Sequence, residues 1–512
     1  MENSLKLFDF SQKINFKNEL LAGFTVAMTM IPESLSFAIL AGLSPLTGLY
    51  AAFMMGLVTA IFGGRPGMVS GGAGATIVVL IALIKTHGVE YLFATVALAG
   101  VFQMLVGIFR LGKFVRLIPQ PVMYGFLNGL AVIIFMAQVE QFKITDANGV
   151  VTWLQGSSLY IMLGLTALTI AIVYFFPKIT KVVPSSLIAI LIVFGVVVGF
   201  GIHTKTVSDI AHISGNLPNF HIPEIPFSLE TLQIIFPYAL IMAGVGLIES
   251  LLTLSMVDEI TNSKGNTNKE AVAQGLANVT NGFFGGMGGC AMVAQTLVNL
   301  NAGSRARLSG IIASLTILII ILVGAPFIEK IPMAALVGVM MMVAISTFQW
   351  VSISIINKMP KSDIFVGITV ALITIILHNL ALAVLVGVII SALVFAWDNA
   401  KRIRARKLTD ENGVKYYQIS GPLFFGSVTT FIDKFDPLND PDQVFIDFKE
   451  SRIVDMSAID ALDKLSKKYT QQNKKLHLRH LSEDCCKMLK NAEAVIEVNI
   501  QDDPTYKVMP EK

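Results

Sequence analysis

The 512-residue sequence predicts an α-helical polytopic membrane protein that ends in a small cytoplasmic α/β domain. Three observations carry that prediction. Hydrophobic residues make up 54% of the chain and charged residues only 14%, with a mean hydropathy of +0.69. Runs of roughly 17–25 mostly apolar residues, long enough to cross a bilayer as a helix, recur from Leu20 to Trp397. From about Val414 onward charged residues become frequent and the apolar runs shorten.

The apolar runs of the first half lie at 20–42, 46–63, 70–86, 90–109, 120–141, 158–177 and 184–201. A polar stretch, 202–230, separates them from 231–257, 269–286, 289–302, 308–328, 332–350, 363–378 and 380–397. That makes about fourteen spans. The first is no cleavable signal peptide, being too long, carrying Glu33 in its middle and lacking a small-residue cleavage site. The runs near Ser70 and Gly289 reach helix length only if their first turns are extended.

Orientation follows from the basic residues. With the N-terminus inside, the inner ends carry Lys6, Lys13, Lys17, Arg65, Arg110, Lys113, Arg116, Lys178, Lys181, Lys264, Lys269, Arg305, Arg307, Lys358 and Lys361. The outer ends carry only Lys85, Lys143, Lys205 and Lys330. The positive-inside rule therefore places both termini on the cytoplasmic side of the membrane. The cysteines, Cys290, Cys485 and Cys486, show neither a disulfide framework nor zinc-ligand spacing. A net charge of +3, with the basic residues at span ends, gives no sign of nucleic-acid binding. No metal, organic cofactor or enzymatic constellation is expected.

The two halves echo each other. Ser70-Gly71-Gly72-Ala73-Gly74-Ala75-Thr76 breaks the third run, and Gly285-Gly286-Met287-Gly288-Gly289-Cys290-Ala291 breaks the tenth. Glu33 and Glu249 stand 216 positions apart (249 − 33), as do Gly72 and Gly288 (288 − 72). One offset thus aligns acidic helices and glycine breaks. An odd number of spans per half, about seven, forces the second half to sit inverted, a design of many secondary transporters. The repeats cover about 20–201 and 231–397 within a membrane domain 20–397.

Glycine-broken spans at matching places point to a binding site. A helix that starts in mid-membrane leaves unpaired backbone N–H groups there, and these attract an anion. Gly72, Ala73, Gly74 and Thr76 flank the first such start; Ala291, Met292, Val293 and Gln295 flank the second. Thr76 and Gln295 can offer side-chain donors, or Gln295 can bond a neighbouring helix. Glu33 and Glu249 are the acidic residues placed deep within spans, where a charge is costly and usually functional; the alternative is a protonated glutamate that bonds helices together. An anion beside an ionised Glu249 is repelled, so a proton or a cation must accompany it. Coupling to H⁺ or Na⁺ follows. Thr253, one turn after Glu249, either joins a cation site or bonds its own backbone.

Pro32-Glu33-Ser34-Leu35-Ser36-Phe37-Ala38, followed by Gly42-Leu43-Ser44-Pro45-Leu46-Thr47-Gly48-Leu49-Tyr50, resembles the signature of the sulfate permease (SulP) family. Asn299 to Gly310 is similar to that family's tenth-span exit, and the C-terminal piece resembles its sulfate-transporter and anti-sigma-factor-antagonist (STAS) domain. The resemblance implies core and gate domains, a homodimer in the lipid bilayer, and an anion site between the third and tenth spans. It implies a secondary active transporter of bicarbonate, sulfate or dicarboxylate, working with H⁺ or Na⁺ or by exchange. Glu249 and Thr253 match the cation site of sodium–bicarbonate members, where the acid is an aspartate and a threonine stands at the place of Val293. Those departures favour H⁺-coupled symport. Gln295 stands where many relatives have arginine.

Residues 1–19 read as a cytoplasmic N-terminal segment, 398–413 as a basic linker and 414–508 as the STAS-like domain, available to a cytosolic partner. Short β-like runs at Lys415–Ile419 and Gln443–Phe448, then a helical pattern at Ser457–Tyr469, support an α/β domain. Ser457 falls where soluble relatives carry a phosphorylatable serine. It is either such a regulatory site or an N-cap.

Overall fold

The computed structural model describes residues 15–112, 119–145, 151–179, 184–209, 215–377, 380–411, 413–491 and 499–501. Residues 1–14 and 502–512, and with them the cations Lys6 and Lys13, lie outside the described residues, as do Lys113, Arg116 and Lys181. The chain divides into two compact units, Met1–Val388 and Ile389–Lys512.

A helix covers each predicted run. The first half contains α1 (Phe16–Leu40), α2 (Pro45–Phe62), β1 (Ser70–Gly71), α3 (Gly74–His87), α4 (Val89–Ile108), α5 (Gln120–Glu140), β2 (Lys143–Thr145), β3 (Val151–Trp153), α6 (Ser157–Ile179) and α7 (Ser185–Gly199). The second contains α8 (Leu229–Thr261), α9 (Thr267–Phe283), β4 (Cys290–Ala291), α10 (Val293–Asn301), α11 (Leu308–Glu329), α12 (Met333–Thr347), the short α13 (Trp350–Ser354), α14 (Lys361–Leu377) and α15 (Leu380–Ala400). Eight of the described helices are long and apolar enough to cross a bilayer, and α3, α7 and α12 are shorter apolar helices. Ile319, Val323 and Phe327 on α11 are 60–71% exposed, an apolar stripe of the kind that a bilayer or a protein partner covers.

Packing follows a reciprocal plan. α1 packs on α10 and α11, while α8 packs on α3 and α4; α2 packs on α11, and α4 on α9. Away from these, α5 packs on α14 and α12 on α6. Each contact has its mate when the halves are exchanged, as an internal repeat requires. The α4–α9 approach is close in both directions: a Cβ at Gly100 would lie 2.5 Å from the Gly275 carbonyl oxygen, and one at Gly275 equally close to that of Gly100. Only small residues permit that contact.

α1 begins at Phe16, before the expected boundary at residue 20, and so captures Glu19. Glu19 is 2% exposed and accepts from the N–H groups of Arg305 (2.8 Å), Ala306 (3.0 Å) and Ser309 (2.9 Å), so its carboxylate caps the start of α11.

The second unit holds the end of α15 and a five-stranded sheet, β5 (Arg404–Thr409), β6 (Lys415–Leu423), β7 (Gln443–Ile453), β8 (Lys475–Arg479) and β9 (Asn499–Gln501), in that order. β5 runs antiparallel to β6 and the other pairs are parallel. The helices are α16 (Val428–Ile432), α17 (Met456–Thr470) and α18 (Glu483–Asn491). Tyr417, Ile419, Val444, Ile446, Leu476 and Leu478 join Leu462 and Leu465 of α17 in its core. The supposed linker is therefore partly strand. Residues 404–409 are charged because they form a sheet edge, where charge discourages pairing with other chains.

Asp440 lies within this core. Its carboxylate accepts from Lys415 Nζ (2.5 Å), from the Tyr417 hydroxyl (2.7 Å) and from that of Tyr469. Burial pushes the Asp440 carboxyl up, but these donors outweigh it and hold it below the ordinary carboxylate value. Burial, and donation to Asp440, push both tyrosines up.

Candidate anion site at two facing helix starts

The two glycine breaks meet. Ser70 pairs with Ala291 and Gly71 with Cys290 in a two-stranded antiparallel ladder, β1 with β4. The chain then turns into helix on both sides. Ala73 (φ −109°, ψ 142°) caps α3, and Met292 (φ −111°, ψ 114°) caps α10; neither offers a capping side chain. The first backbone bonds run from Ile77 N to Ala73 O (3.2 Å) and from Thr296 N to Met292 O (3.0 Å). The N–H groups of residues 74–76 and 293–295 are thus the orphan donors of two neighbouring helix starts. With 14 and 9 residues, α3 and α10 measure only about 21 Å and 14 Å. Neither crosses a hydrocarbon core of roughly 30 Å without its extended lead.

The equivalence of the halves needs one correction. The caps Ala73 and Met292 are 219 residues apart (292 − 73), against 216 for the two glutamates. Gly288 is therefore not the counterpart of Gly72. Its φ of +74°, with +70° at Gly285, makes left-handed turns ahead of β4, as Gly67 (φ +81°) does ahead of β1.

Gly72, Ala73, Gly74 and Thr76 are all buried, and Thr76 Oγ1 donates to the Ala73 carbonyl at 2.9 Å. Its hydroxyl serves the helix start rather than open space. Ala291 and Met292 are buried, whereas Val293 is 38% exposed at the mouth of α10. Gln295 is buried and its Nε2 donates to Glu33 Oε2, so α10 is tied to α1. Glu249 accepts from the Cys290 thiol at 3.0 Å, which ties α8 to the lead of α10. Glu33 and Glu249 are half-buried. Thr253 Oγ1 donates to the Glu249 carbonyl at 2.8 Å. It bonds its own helix backbone.

The residues that hold the breaks were not singled out in the sequence. Asn278 pairs with Gly289 through both ends of its amide, accepting from the N–H (2.9 Å) and donating to the C=O (3.0 Å). It also donates to Gln103 Oε1 at 2.9 Å. Gln274 donates to Ser70 Oγ and to Glu270 Oε1, each at 2.8 Å, and Glu270 accepts from Gly64 N at 2.7 Å. Ser250 Oγ accepts from Ala291 N at 3.0 Å. A signal existed: Glu270, Gln274, Asn278 and Asn281 recur at helical spacing and form one buried polar stripe on α9.

In the second unit Ser457 is exposed, but it is not the cap. Asp455 caps α17, its carboxylate accepting from Ala458 N at 2.9 Å, and Ser457 is already within the helix. An aspartate two residues earlier in extended conformation fills that role.

Comparison with known proteins fits this geometry. Residues 16–370 match the sulfate permease family and residues 405–505 the STAS domain. YbaR of Bacillus subtilis, named for sulfate transport, is 40% identical over 476 residues, covering 93% of this chain and 97% of that protein. The bicarbonate transporter BicA of Picosynechococcus is 30% identical over 497 residues, covering 88% of this chain and 87% of that one. The solved transmembrane domain of a cyanobacterial BicA superposes with a TM-score of 0.62 at 28% identity, over 75% of this chain and 98% of that domain. The murine anion transporter Slc26a9, at 18% identity, shares the fold alone, with a TM-score of 0.80 over 94% of this chain and 88% of that one. The chain is a multi-pass membrane anion transporter that belongs to the sulfate permease family and carries a C-terminal STAS domain.

Proposed function

We propose that the protein is a secondary active symporter that binds one small anion at the paired starts of α3 and α10 and moves it with a proton. The observation that supports this most is the β1–β4 ladder, which sets two sets of orphan N–H donors beside each other. In this reading Glu33 and Glu249, bonded to Gln295 and Cys290, take the proton and so permit anion binding. Bicarbonate and sulfate are the first substrates to try, because relatives are named for them; dicarboxylates form a third class. The α1–α4 and α8–α11 bundle then moves as a core against a gate of α5–α7 and α12–α15. The protein works as a homodimer in the inner membrane, with both termini cytoplasmic and the STAS domain open to a cytosolic partner. Na⁺ coupling, exchange and an uncoupled anion channel are the competing mechanisms.

The test is uptake of labelled bicarbonate, sulfate and fumarate into proteoliposomes, with and without an inward proton gradient. Accumulation of one anion only with the gradient supports H⁺ symport. Accumulation driven by Na⁺ instead, or only downhill flux, overturns it.

A further inference from the structure

The chain leaving α15 carries five cations in seven positions, Lys401, Arg402, Arg404, Arg406 and Lys407. Cytoplasmic retention of a span would need only their charge, but here the segment runs from a turn at 401–402 into the ordered strand β5. Ile403 is 2% exposed in the sheet core and Ala405 packs against that core. Alternation along the strand then turns Arg404 and Arg406 outward, and Arg402, in the turn that follows α15, is exposed as they are. Successive guanidinium groups are rooted about 6.6 Å apart. Across the ladder Arg404 faces Ser420 and Arg406 faces Gln418, both uncharged. The next carboxylate in the Arg406 row, Asp447, is occupied by Arg479 and His480. Among the described residues none of the five cations has a carboxylate partner.

The strip also starts at a membrane boundary. Trp397 is 64% exposed near the end of α15, and Lys401 Nζ lies 4.7 Å from its ring centre. Exposed tryptophan marks the head-group level. Arg404 is four residues beyond Ala400, at most roughly 14 Å of chain, so a long side chain brings its charge within the Debye length of about 8 Å. The planar fork of arginine suits a phosphate better than a point charge does.

We infer that residues 401–407 form a binding strip for the anionic head groups of phospholipids in the cytoplasmic leaflet. Each basic residue near an anionic leaflet strengthens the attraction roughly fivefold. The strip fixes the first strand of the second unit to the lipid surface. It rests on the proposed cytoplasmic position of the α15 C-terminus, but not on which ion drives transport.

The test uses the full-length protein in mild neutral detergent, titrated with fluorescent short-chain phosphatidylglycerol or phosphatidylcholine. Phosphatidylglycerol should bind roughly tenfold or more tightly than phosphatidylcholine, and salt should erode the difference. Replacing all five cations by glutamine should abolish the preference, while Arg→Lys at 402, 404 and 406 should retain most of it. If the fivefold variant misfolds, R404Q/R406Q, at two exposed positions, should lose part of the preference. Equal binding of both lipids by the native protein, or an unchanged preference in the glutamine variants, overturns the inference. Displacement of phosphatidylglycerol by inorganic phosphate at equal concentration also overturns it, because the site would then be one for free phosphate. Protease access to a tag after Lys512 in sealed vesicles reads sidedness separately.

Discussion

The thiol of Cys290 donates to Glu249 Oε2 at 3.0 Å, so β4, the extended lead into α10, is bonded directly to the acid of α8. A change in protonation at Glu249 therefore reaches the backbone of the proposed anion site through one hydrogen bond. Glu249→Gln mimics the protonated acid. Anion binding should survive while proton-driven accumulation falls to the equilibrium level, as checked by isotope binding and by proteoliposome uptake. Accumulation at the native level would remove Glu249 from the coupling step and leave Glu33 as the candidate.

Gln295 and Glu33 form the matching link between α10 and α1. A buried bond of this kind couples its partners by about 0.5–3 kcal/mol in a double-mutant cycle. Glu33→Gln and Gln295→Leu should each lower thermal stability in detergent, and the double variant should lose less than the sum. Strict additivity would mean that the bond is not made in the membrane.

The glycines of the two breaks should differ in tolerance. A Cβ at Gly289 would lie 1.9 Å from the Gly71 carbonyl oxygen, which is backbone and cannot yield without parting β1 from β4. A Cβ at Gly72 meets the Met287 Cε at 2.6 Å, the flexible end of a side chain. Gly289→Ala should therefore abolish anion binding in an isotope assay, whereas Gly72→Ala should weaken it. Gly288→Val adds strain at a positive φ and should resemble Gly289→Ala.

The helices were legible because lipid requires continuous apolar runs, and the extended starts were legible because glycine interrupted those runs. The stripe of Glu270, Gln274, Asn278 and Asn281 was not read, since its polar side chains looked like interruptions of a span. Their purpose shows only once α9 is seen beside the breaks that they bond. Arg404 to Thr409 was read as linker because an edge strand and a basic linker share a composition. The inward turn of Ile403 and Ala405 was the available sign. Asp455 and Ser457 both suit an N-cap, and the extended backbone at Asp455, which settles the choice, is not visible in the sequence.

Acid should loosen the STAS domain at Asp440. Its carboxyl is held below the ordinary value by Lys415 and two tyrosine hydroxyls, in spite of burial. A lowered folded-state value stabilises the fold above the unfolded value near 3.9, and that contribution is lost as pH falls through the folded value. Hydrogen exchange of the β6 and β7 amides in the full-length protein should therefore accelerate below about pH 4, beyond the intrinsic change. Asp440→Ala leaves Lys415, Tyr417 and Tyr469 without their shared acceptor and should cost about 3 kcal/mol at neutral pH. Asp440→Asn keeps an acceptor but loses the charge, so its exchange should be faster at pH 7 and lack the added acid sensitivity. If native protein and Asp440→Asn respond identically to acid, another carboxylate governs the transition.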